Sequence, residues 1–292
     1  MAWRVGPYPA RMAALLALLS SLLWGAADFI GGTVSRRLPA LLVVGASQLA
    51  GLLTVAVVAV AAGELHAPTG YLPWAVAAGL AGLGGLVAFY RALAIGTMGV
   101  VSPIAALGVV VPVAVGLGRG ERPGAVQMLG IVVAVLGVVL ASGPELSGRA
   151  GARPLLLAVA AAVGFGLALL FITEGAKTST LMTLVTMRVT SVLVVAVLLV
   201  SQVAARARRT PVRLTPRDLP LIAVVGIGDA AANFTFGWAS TRGLVSVVAV
   251  LGSLYPVVTV LLARVVHHER LAAVQNAGVV AALAGVGLIA AG

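Results

Sequence analysis

The sequence predicts an all-α polytopic membrane protein, with ten transmembrane helices arranged as two inverted five-helix repeats. Three observations lead to this fold class: the composition, ten apolar runs of membrane-spanning length, and one motif that occurs twice. Of the 292 residues, 61% are hydrophobic and only 9% are charged, whereas soluble domains average about 45–50% and about 25%. The chain therefore lacks the polar residues that would cover a soluble globule, and it is too apolar to be disordered.

The composition also excludes several kinds of functional site. The chain has no cysteine, which rules out a disulfide scaffold, a thiolate zinc site and an iron–sulfur cluster. Zinc-protease and nucleotide-binding-loop motifs are absent from the sequence, and the adjacent His267 and His268 do not make a metal site. We therefore expect no metal, no cofactor, no enzymatic activity and no ATP-driven transport by this chain alone. The net charge of +11 does not indicate nucleic acid, because most basic residues flank apolar runs and set topology.

Ten apolar runs are long enough to cross a bilayer, which requires about 20 mostly apolar residues. They were delimited by charges, by Pro and Gly clusters and by polar breaks. The first run is interpreted as a retained span rather than a cleaved signal peptide, because it continues through Gly31 without a clear cleavage site. The predicted spans are residues 12–31, 40–62, 71–95, 98–117, 123–142, 153–173, 180–200, 218–240, 245–266 and 271–291.

One motif occurs twice and defines the repeats. The segment from Glu121 reads ERPGAVQMLG and the segment from Glu269 reads ERLAAVQNAG, and each opens the last span of its half, where a carboxylate would favour the helix N-terminus. The sequence therefore predicts one repeat over residues 1–146 and a second over residues 147–292. Because each repeat has five spans, the second must enter the membrane in the opposite orientation. Inverted repeats are a transporter architecture in which substrate binds near the midplane between the halves.

Ionisable residues inside the spans are the first candidates for a site, because a charge in the bilayer interior is costly and faces the bundle. Four residues qualify: Asp28, Arg91, Arg188 and Asp229. Arg91 is close enough to its span end to reach the interface, so a structural role is expected for it. Asp28 and Asp229 are also candidates for proton coupling, since burial alters the protonation of carboxylates.

Neighbouring polar residues extend this set. Asn233 follows Asp229 by one helical turn, and Trp24 precedes Asp28 by one turn, so each pair shares a face. Arg188 either neutralises Asp229 or Glu174, or binds a substrate carboxylate in bidentate fashion. Gln48 is the neutral residue of the corresponding helix in the first repeat. Interhelical hydrogen bonding and packing are the structural alternatives. The predicted substrate-binding residues are Trp24, Asp28, Gln48, Tyr90, Arg188, Asp229, Asn233 and Tyr255.

The order of several short motifs resembles the EamA-type transporters of the drug/metabolite transporter superfamily, over nearly the whole chain. These motifs are WGAADF from Trp24, FYRAL from Phe89, GER from Gly120, GDAAAN from Gly228, LYP from Leu254 and ER from Glu269. The resemblance implies ten helices, a central cavity, and export or exchange of small metabolites or drugs. The first half departs from the pattern, because Val109 stands where the second half has Pro256.

We therefore expect a secondary transporter of the inner (cytoplasmic) membrane that exports small metabolites, namely amino acids, related compounds or drugs, by alternating access. Its cavity would lie between the first, second, third, sixth, seventh and eighth spans. A lipid-linked sugar flippase and a passive facilitator are the alternatives. The expected partners are the lipid bilayer and a small-molecule substrate, with the chain a monomer or homodimer. The positive-inside rule places the termini outside, whereas the resemblance places them inside, so the orientation stays open.

Overall fold

A computed structural model describes residues 7–35, 37–95, 101, 104–141, 152–205, 215–266 and 272–291. Over these residues the chain is helical and contains no strand. The helices of the first half are α1 (Pro7–Ser35), α2 (Ala40–Ala61), α3 (Leu72–Ile95), α4 (Val110–Gly118) and α5 (Ala125–Ala141). Those of the second half are α6 (Ala152–Ala176), α7 (Thr180–Ala205), α8 (Leu219–Ser240), α9 (Val245–Gly252), α10 (Tyr255–Val266) and α11 (Ala273–Ala291).

Six of the helices in the described part of the chain are long and apolar enough to cross a membrane, so the protein is a multi-pass membrane protein. They comprise Arg11–Ser35, Ala40–Ala61, Thr69–Leu93, Ala152–Ala176, Thr180–Ser201 and Leu219–Ser240. Four further apolar helices are shorter: Ile104–Gly118, Ala125–Leu140, Val245–Thr259 and Ala273–Ile289. The helical, membrane-spanning class is confirmed, while the count of ten spans stays a prediction.

Two of the predicted spans are interrupted rather than continuous. The predicted span 245–266 consists of α9 and α10, which are separated by a turn at Ser253 and Leu254. In the first half, a 3-10 turn over Leu107–Val109 precedes α4. Pro256 in the first turn of α10 has no backbone N–H to donate, which favours the start of a new helix there. The hydropathy pattern could not reveal these breaks, because the residues on both sides are equally apolar.

The helices pack in pairs across the two halves. Helix α1 packs against α8 and α3 against α6, while α2 packs against α7, α4 against α9, and α5 against α11. If each helix is replaced by its equivalent in the other half, the α1–α8 pair becomes the α6–α3 pair. Each of the other pairs is replaced by itself. This is the pattern that a pseudo-two-fold axis between two similar repeats produces.

Glycines let the backbones of these helices approach closely. A Cβ at Gly79 of α3 would lie 2.7 Å from the carbonyl oxygen of Met187, and a Cβ at Gly226 of α8 would overlap the carbonyl oxygen of Ser47. Met187 and Ser47 are each the eighth residue of their helices, α7 and α2. The two contacts are therefore equivalent under the exchange of halves, and small residues at both positions permit the close packing seen in membrane bundles.

Glu121 joins the two halves at one end of the bundle. Its carboxylate accepts hydrogen bonds from the backbone N–H groups of Val245, at 2.7 Å, and Ser246, at 2.9 Å. The expectation that Glu121 serves the helix it opens was therefore wrong, because the carboxylate caps α9 of the other half. Val245 and Ser246 begin α9, where the N–H groups lack intrahelical partners. The equivalent Glu269 lies outside the described residues.

We expect Gly226→Ala to lower the melting temperature of the purified protein. The added methyl group overlaps the carbonyl oxygen of Ser47, and overpacking of this kind destabilises by about 1–3 kcal/mol. Gly287→Ala is the matched control, because a Cβ there meets nothing within 4 Å and alanine favours the helix. Thermal unfolding in detergent measures both. Equal melting temperatures for the two variants would contradict the close approach of α2 and α8.

We expect Glu121→Ala to destabilise the protein by about 0.5–2 kcal/mol, the range measured for loss of a helix N-cap. The variant leaves two N–H groups of α9 without their carboxylate acceptor. Glu121→Gln keeps one acceptor oxygen and should therefore lose less stability than Glu121→Ala. Arg122→Ala removes the neighbouring exposed side chain and serves as the control in the same unfolding assay. If Glu121→Ala unfolds no earlier than Arg122→Ala, the carboxylate does not stabilise α9.

Candidate functional site

A cavity of about 100 Å³ lies between the two halves of the bundle. Its walls include residues of the six helices expected from the sequence, α1, α2, α3, α6, α7 and α8. The interrupted segments before α4 and between α9 and α10 also contribute, which the sequence analysis did not anticipate. The polar side chains of the lining are Trp24, Asp28, Gln48, Arg188, Ser191, Asp229, Asn233, Ser253 and Tyr255.

Arg188 of α7 is the charged residue at the centre of this cluster, and it is only 2% exposed. Its Nη2 atom lies 2.6 Å from Oδ2 of Asp229, as an ion pair without the alignment of a hydrogen bond. Its Nη1 atom donates a hydrogen bond of 2.5 Å to Oε1 of Gln48 in α2. A Cβ at Gly51 would lie in ordinary contact with Nε of Arg188, at 3.5 Å, but only 3.0 Å from the carbonyl oxygen of Gly226, so the close approach of α8 favours glycine there.

Asp229 of α8 is held from several directions. Its Oδ1 atom accepts hydrogen bonds from Nε1 of Trp24, at 3.0 Å, and from Nδ2 of Asn233, at 3.1 Å. Asn233 also donates to the carbonyl oxygen of Asp229, at 2.6 Å. Together with the ion pair to Arg188, these contacts satisfy the carboxylate and balance its charge, as a buried ion pair requires. They connect four helices, α1, α2, α7 and α8.

Asp28 differs from Asp229, because no hydrogen bond or ion pair joins it to another described residue. It lines the cavity from α1 and lies within electrostatic range of Asp229, Tyr90 and Tyr255. The hydroxyl group of Tyr255 is buried and has no hydrogen-bond partner among the described residues. Asp28 is therefore the carboxylate of the described cavity that is free to interact with a bound molecule.

The structure brings seven of the eight sequence-predicted residues into the cavity lining: Trp24, Asp28, Gln48, Arg188, Asp229, Asn233 and Tyr255. Tyr90 lies elsewhere, since it is 1% exposed and packs its ring against Phe89, with its hydroxyl facing Gly31. Arg91 is exposed. Of the two hypotheses for Arg188, neutralising a buried carboxylate or binding a substrate carboxylate, the structure contains the first, with Asp229 as the partner.

The apolar part of the lining was missed by the sequence analysis. Phe165 and Leu169 of α6 and Leu86 of α3 form this part of the wall. A hydrophobic residue inside a hydrophobic span gives no signal of its own. Only the alignment of the two halves in space identifies these residues as the positions equivalent to the polar ones. Among the described residues no group of three or more His, Cys, Asp or Glu side chains could hold a metal ion.

We expect Arg188→Leu to be strongly destabilising, because it leaves Asp229 without its counter-ion. Breaking one partner of a buried pair loses about 3–5 kcal/mol, and replacing both with apolar residues recovers much of that loss. The double variant Arg188→Leu/Asp229→Leu should therefore be more stable than Arg188→Leu alone. Arg91→Leu removes an exposed arginine and is the control. Thermal unfolding of the unmodified chain, the control, both single variants (Arg188→Leu and Asp229→Leu) and the double variant tests the coupling. Additive effects of the two substitutions would argue against it.

Comparisons with known proteins agree with this architecture. The model of the EamA-like transporter family matches residues 11–143 and again residues 152–291. A solved structure described only as "Crystal structure of protein" is similar in fold, with a TM-score of 0.76 at 20% identity over 96% of each chain. Comparison with curated proteins gave no match. Because the family model covers both halves, the chain belongs to the EamA-like transporter family, and hence to the drug/metabolite transporter superfamily of membrane transporters.

Proposed function

We propose that this chain is a secondary transporter that moves small metabolites across the inner (cytoplasmic) membrane by alternating access, in the direction of export. The proposed substrates are amino acids, related compounds and drugs of similar size. The observation that carries the proposal is the cavity between the halves, where Arg188 and Asp229 pair within apolar spans. Ionisable groups at such positions mark solute or proton pathways by default.

The helix interruptions support this function. The turn between α9 and α10 supplies Ser253 to the cavity lining, and the 3-10 turn before α4 supplies Gly108. Discontinuous helices at the interface of inverted repeats form the substrate sites of many secondary transporters. The break between α9 and α10 thereby adds the hydroxyl of Ser253 to the polar side chains of the lining.

One end of the bundle is joined by several polar contacts. At the end where α4 and α6 finish, Arg119 pairs with Glu174, and Nζ of Lys177 lies 2.8 Å from the same carboxylate. Nearby, the hydroxyl of Ser179 donates a hydrogen bond of 2.6 Å to Glu64, which follows α2. These contacts link segments from both halves. We interpret this end as the closed gate of an alternating-access cycle.

At the opposite end, an ion pair joins the end of α1 to the start of α8. Arg37, which follows α1, lies 3.5 Å from Asp218 before α8. Hydrogen bonds from the hydroxyl and backbone N–H of Thr215, and secondarily the charge of Arg37, hold the pKa of Asp218 below its usual value. An exposed pair of this kind contributes little energy.

Proton coupling is assigned to the two cavity carboxylates, Asp28 and Asp229. The charge of Asp229 is already balanced by Arg188, whereas Asp28 has no such partner among the residues that the structure describes. The other groups that face Asp28 are Tyr90 on α3 and Tyr255 on α10. Asp28 is therefore the better placed of the two to take up and release a proton during the cycle. A passive facilitator would use neither carboxylate in this way.

Transport by the full chain in proteoliposomes tests the proposal. Labelled amino acids and amines should exchange saturably across the membrane, and an imposed pH gradient should drive their accumulation. Asp28→Asn and Asp229→Asn should lose the accumulation driven by pH. Asp218→Asn, which changes a carboxylate outside the cavity, should retain it. Absence of saturable exchange would overturn the transporter proposal, and exchange that ignores the gradient in the unmodified chain would indicate a facilitator.

A further inference from the structure

The two halves of the cavity can be compared position by position, because glycine contacts fix their register. A Cβ at Gly25 of α1 would overlap the carbonyl oxygen of Tyr255, and a Cβ at Gly166 of α6 would overlap that of Gly108. These contacts make Gly25 equivalent to Gly166, and Tyr255 equivalent to Gly108. Likewise, the matching contacts of Gly79 and Gly226 make α3 and α8 equivalent in register.

This register shows that the polar wall of the cavity has an apolar counterpart. Next to Gly25, Trp24 corresponds to Phe165, and one turn later Asp28 corresponds to Leu169. All four residues line the cavity. At the first of these positions both α1 and α6 carry an aromatic residue. At the second position α1 carries a carboxylate and α6 carries a leucine. The wall formed by α6 therefore offers hydrocarbon where the wall formed by α1 offers a charge.

The same difference is found between α8 and α3: the polar residues of α8 have equivalents on α3 without polar side chains. Asp229 corresponds to Gly82, and Asn233 to Leu86, and each of these residues lines the cavity. Between α9 and α10, Ser253 corresponds to Ala106. The cavity thus has one polar wall, from α1, α8 and the break before α10. It has one apolar wall, from α3, α6 and the segment before α4.

Charge balance identifies the sign of the group that the polar wall accepts. The ionisable acids and bases lining the described cavity are Asp28, Arg188 and Asp229. Arg188 pairs with Asp229 and also donates to Gln48, so its positive charge is already balanced within the lining. Asp28 remains as the one ionisable side chain of the described lining without a counter-ion, and it is a negative charge whenever it has released its proton. A buried charge is stabilised by a partner of opposite sign, whereas an anionic group would find no free cation in this lining.

We propose that the cavity binds an amphipathic monocation, an amine or ammonium group on an apolar body, in preference to a zwitterion or an anion. The cationic group lies at Asp28, where Trp24 offers a ring face for a cation–π contact and the unpartnered Tyr255 hydroxyl offers an acceptor. The apolar body packs against Phe165, Leu169 and Leu86. This inference rests on the transport function proposed above, and it narrows the substrates of the same cavity.

Four small probes, used at neutral pH, separate the requirement for a cationic group from the requirement for an apolar body. Phenethylamine carries a cation and a ring, phenylalanine adds a carboxylate, hydrocinnamate has only the carboxylate, and ethylamine lacks the ring. Binding to the purified full chain is measured by thermal shift and calorimetry, and exchange is measured in proteoliposomes. We expect phenethylamine to bind at least about tenfold more tightly than each of the other three.

Two variants test the two walls. Asp28→Asn should weaken phenethylamine at least about tenfold and leave hydrocinnamate no weaker than before. Leu169→Ala should reduce the preference for phenethylamine over ethylamine, because it truncates an apolar side chain of the wall that packs against the ring. Unliganded melting temperatures show whether each variant is folded, and the Leu169 variant tests the proposal independently if Asp28→Asn does not fold.

The outcomes distinguish this inference from the transport function on which it rests. If phenylalanine or hydrocinnamate binds as tightly as phenethylamine and is exchanged, the preference for a monocation is overturned and the transporter stands. The same holds if none of the four is exchanged but a sugar or a nucleotide metabolite is. If the unmodified chain exchanges no solute at all, both proposals are overturned.

Discussion

The buried guanidinium of Arg188 is the constraint on which the centre of the bundle depends. A charge in this apolar setting requires a counter-ion and hydrogen-bond partners, and Asp229 and Gln48 supply them. Asp229 in turn is oriented by Trp24 and Asn233. The ion pair and its surrounding hydrogen bonds therefore connect α1, α2, α7 and α8. Helix packing elsewhere depends on small residues such as Gly79 and Gly226, which bring the backbones together without adding polar groups.

Much of this arrangement could be predicted from the sequence, because apolar spans and rare ionisable residues are strong signals. Hydropathy located the long helices, and the motifs at Glu121 and Glu269 indicated the duplication. The rarity of charges within spans was enough to select Asp28, Arg188 and Asp229, which all line the cavity. Their pairing could not be predicted, since Arg188 had two carboxylates within plausible reach and a substrate as a third alternative.

Other features depend on tertiary contacts that leave no local trace. Glu121 caps α9 rather than its own helix, because the fold places the start of α9 beside it. Tyr90 follows Phe89 in a motif of the family resemblance, yet its hydroxyl faces Gly31 between α1 and α3. Leu169 and Leu86 could be recognised only after the two halves were aligned in space. In each case the sequence identifies the residue type, and the packing of distant helices determines its neighbours.

The position of Arg188 also bears on how the two halves would exchange conformations. Gln48 and Arg188 are each the ninth residue of their helices, α2 and α7, so their hydrogen bond joins equivalent positions across the pseudo-two-fold axis. Exchange of the halves returns this contact to itself. The ion pair with Asp229 does not share that property, because its equivalent joins Gln48 to Gly82, which has no side chain. In the proposed alternating-access cycle, the Gln48–Arg188 contact is therefore suited to act as a fixed pivot, and the Asp229 contact as the element that changes.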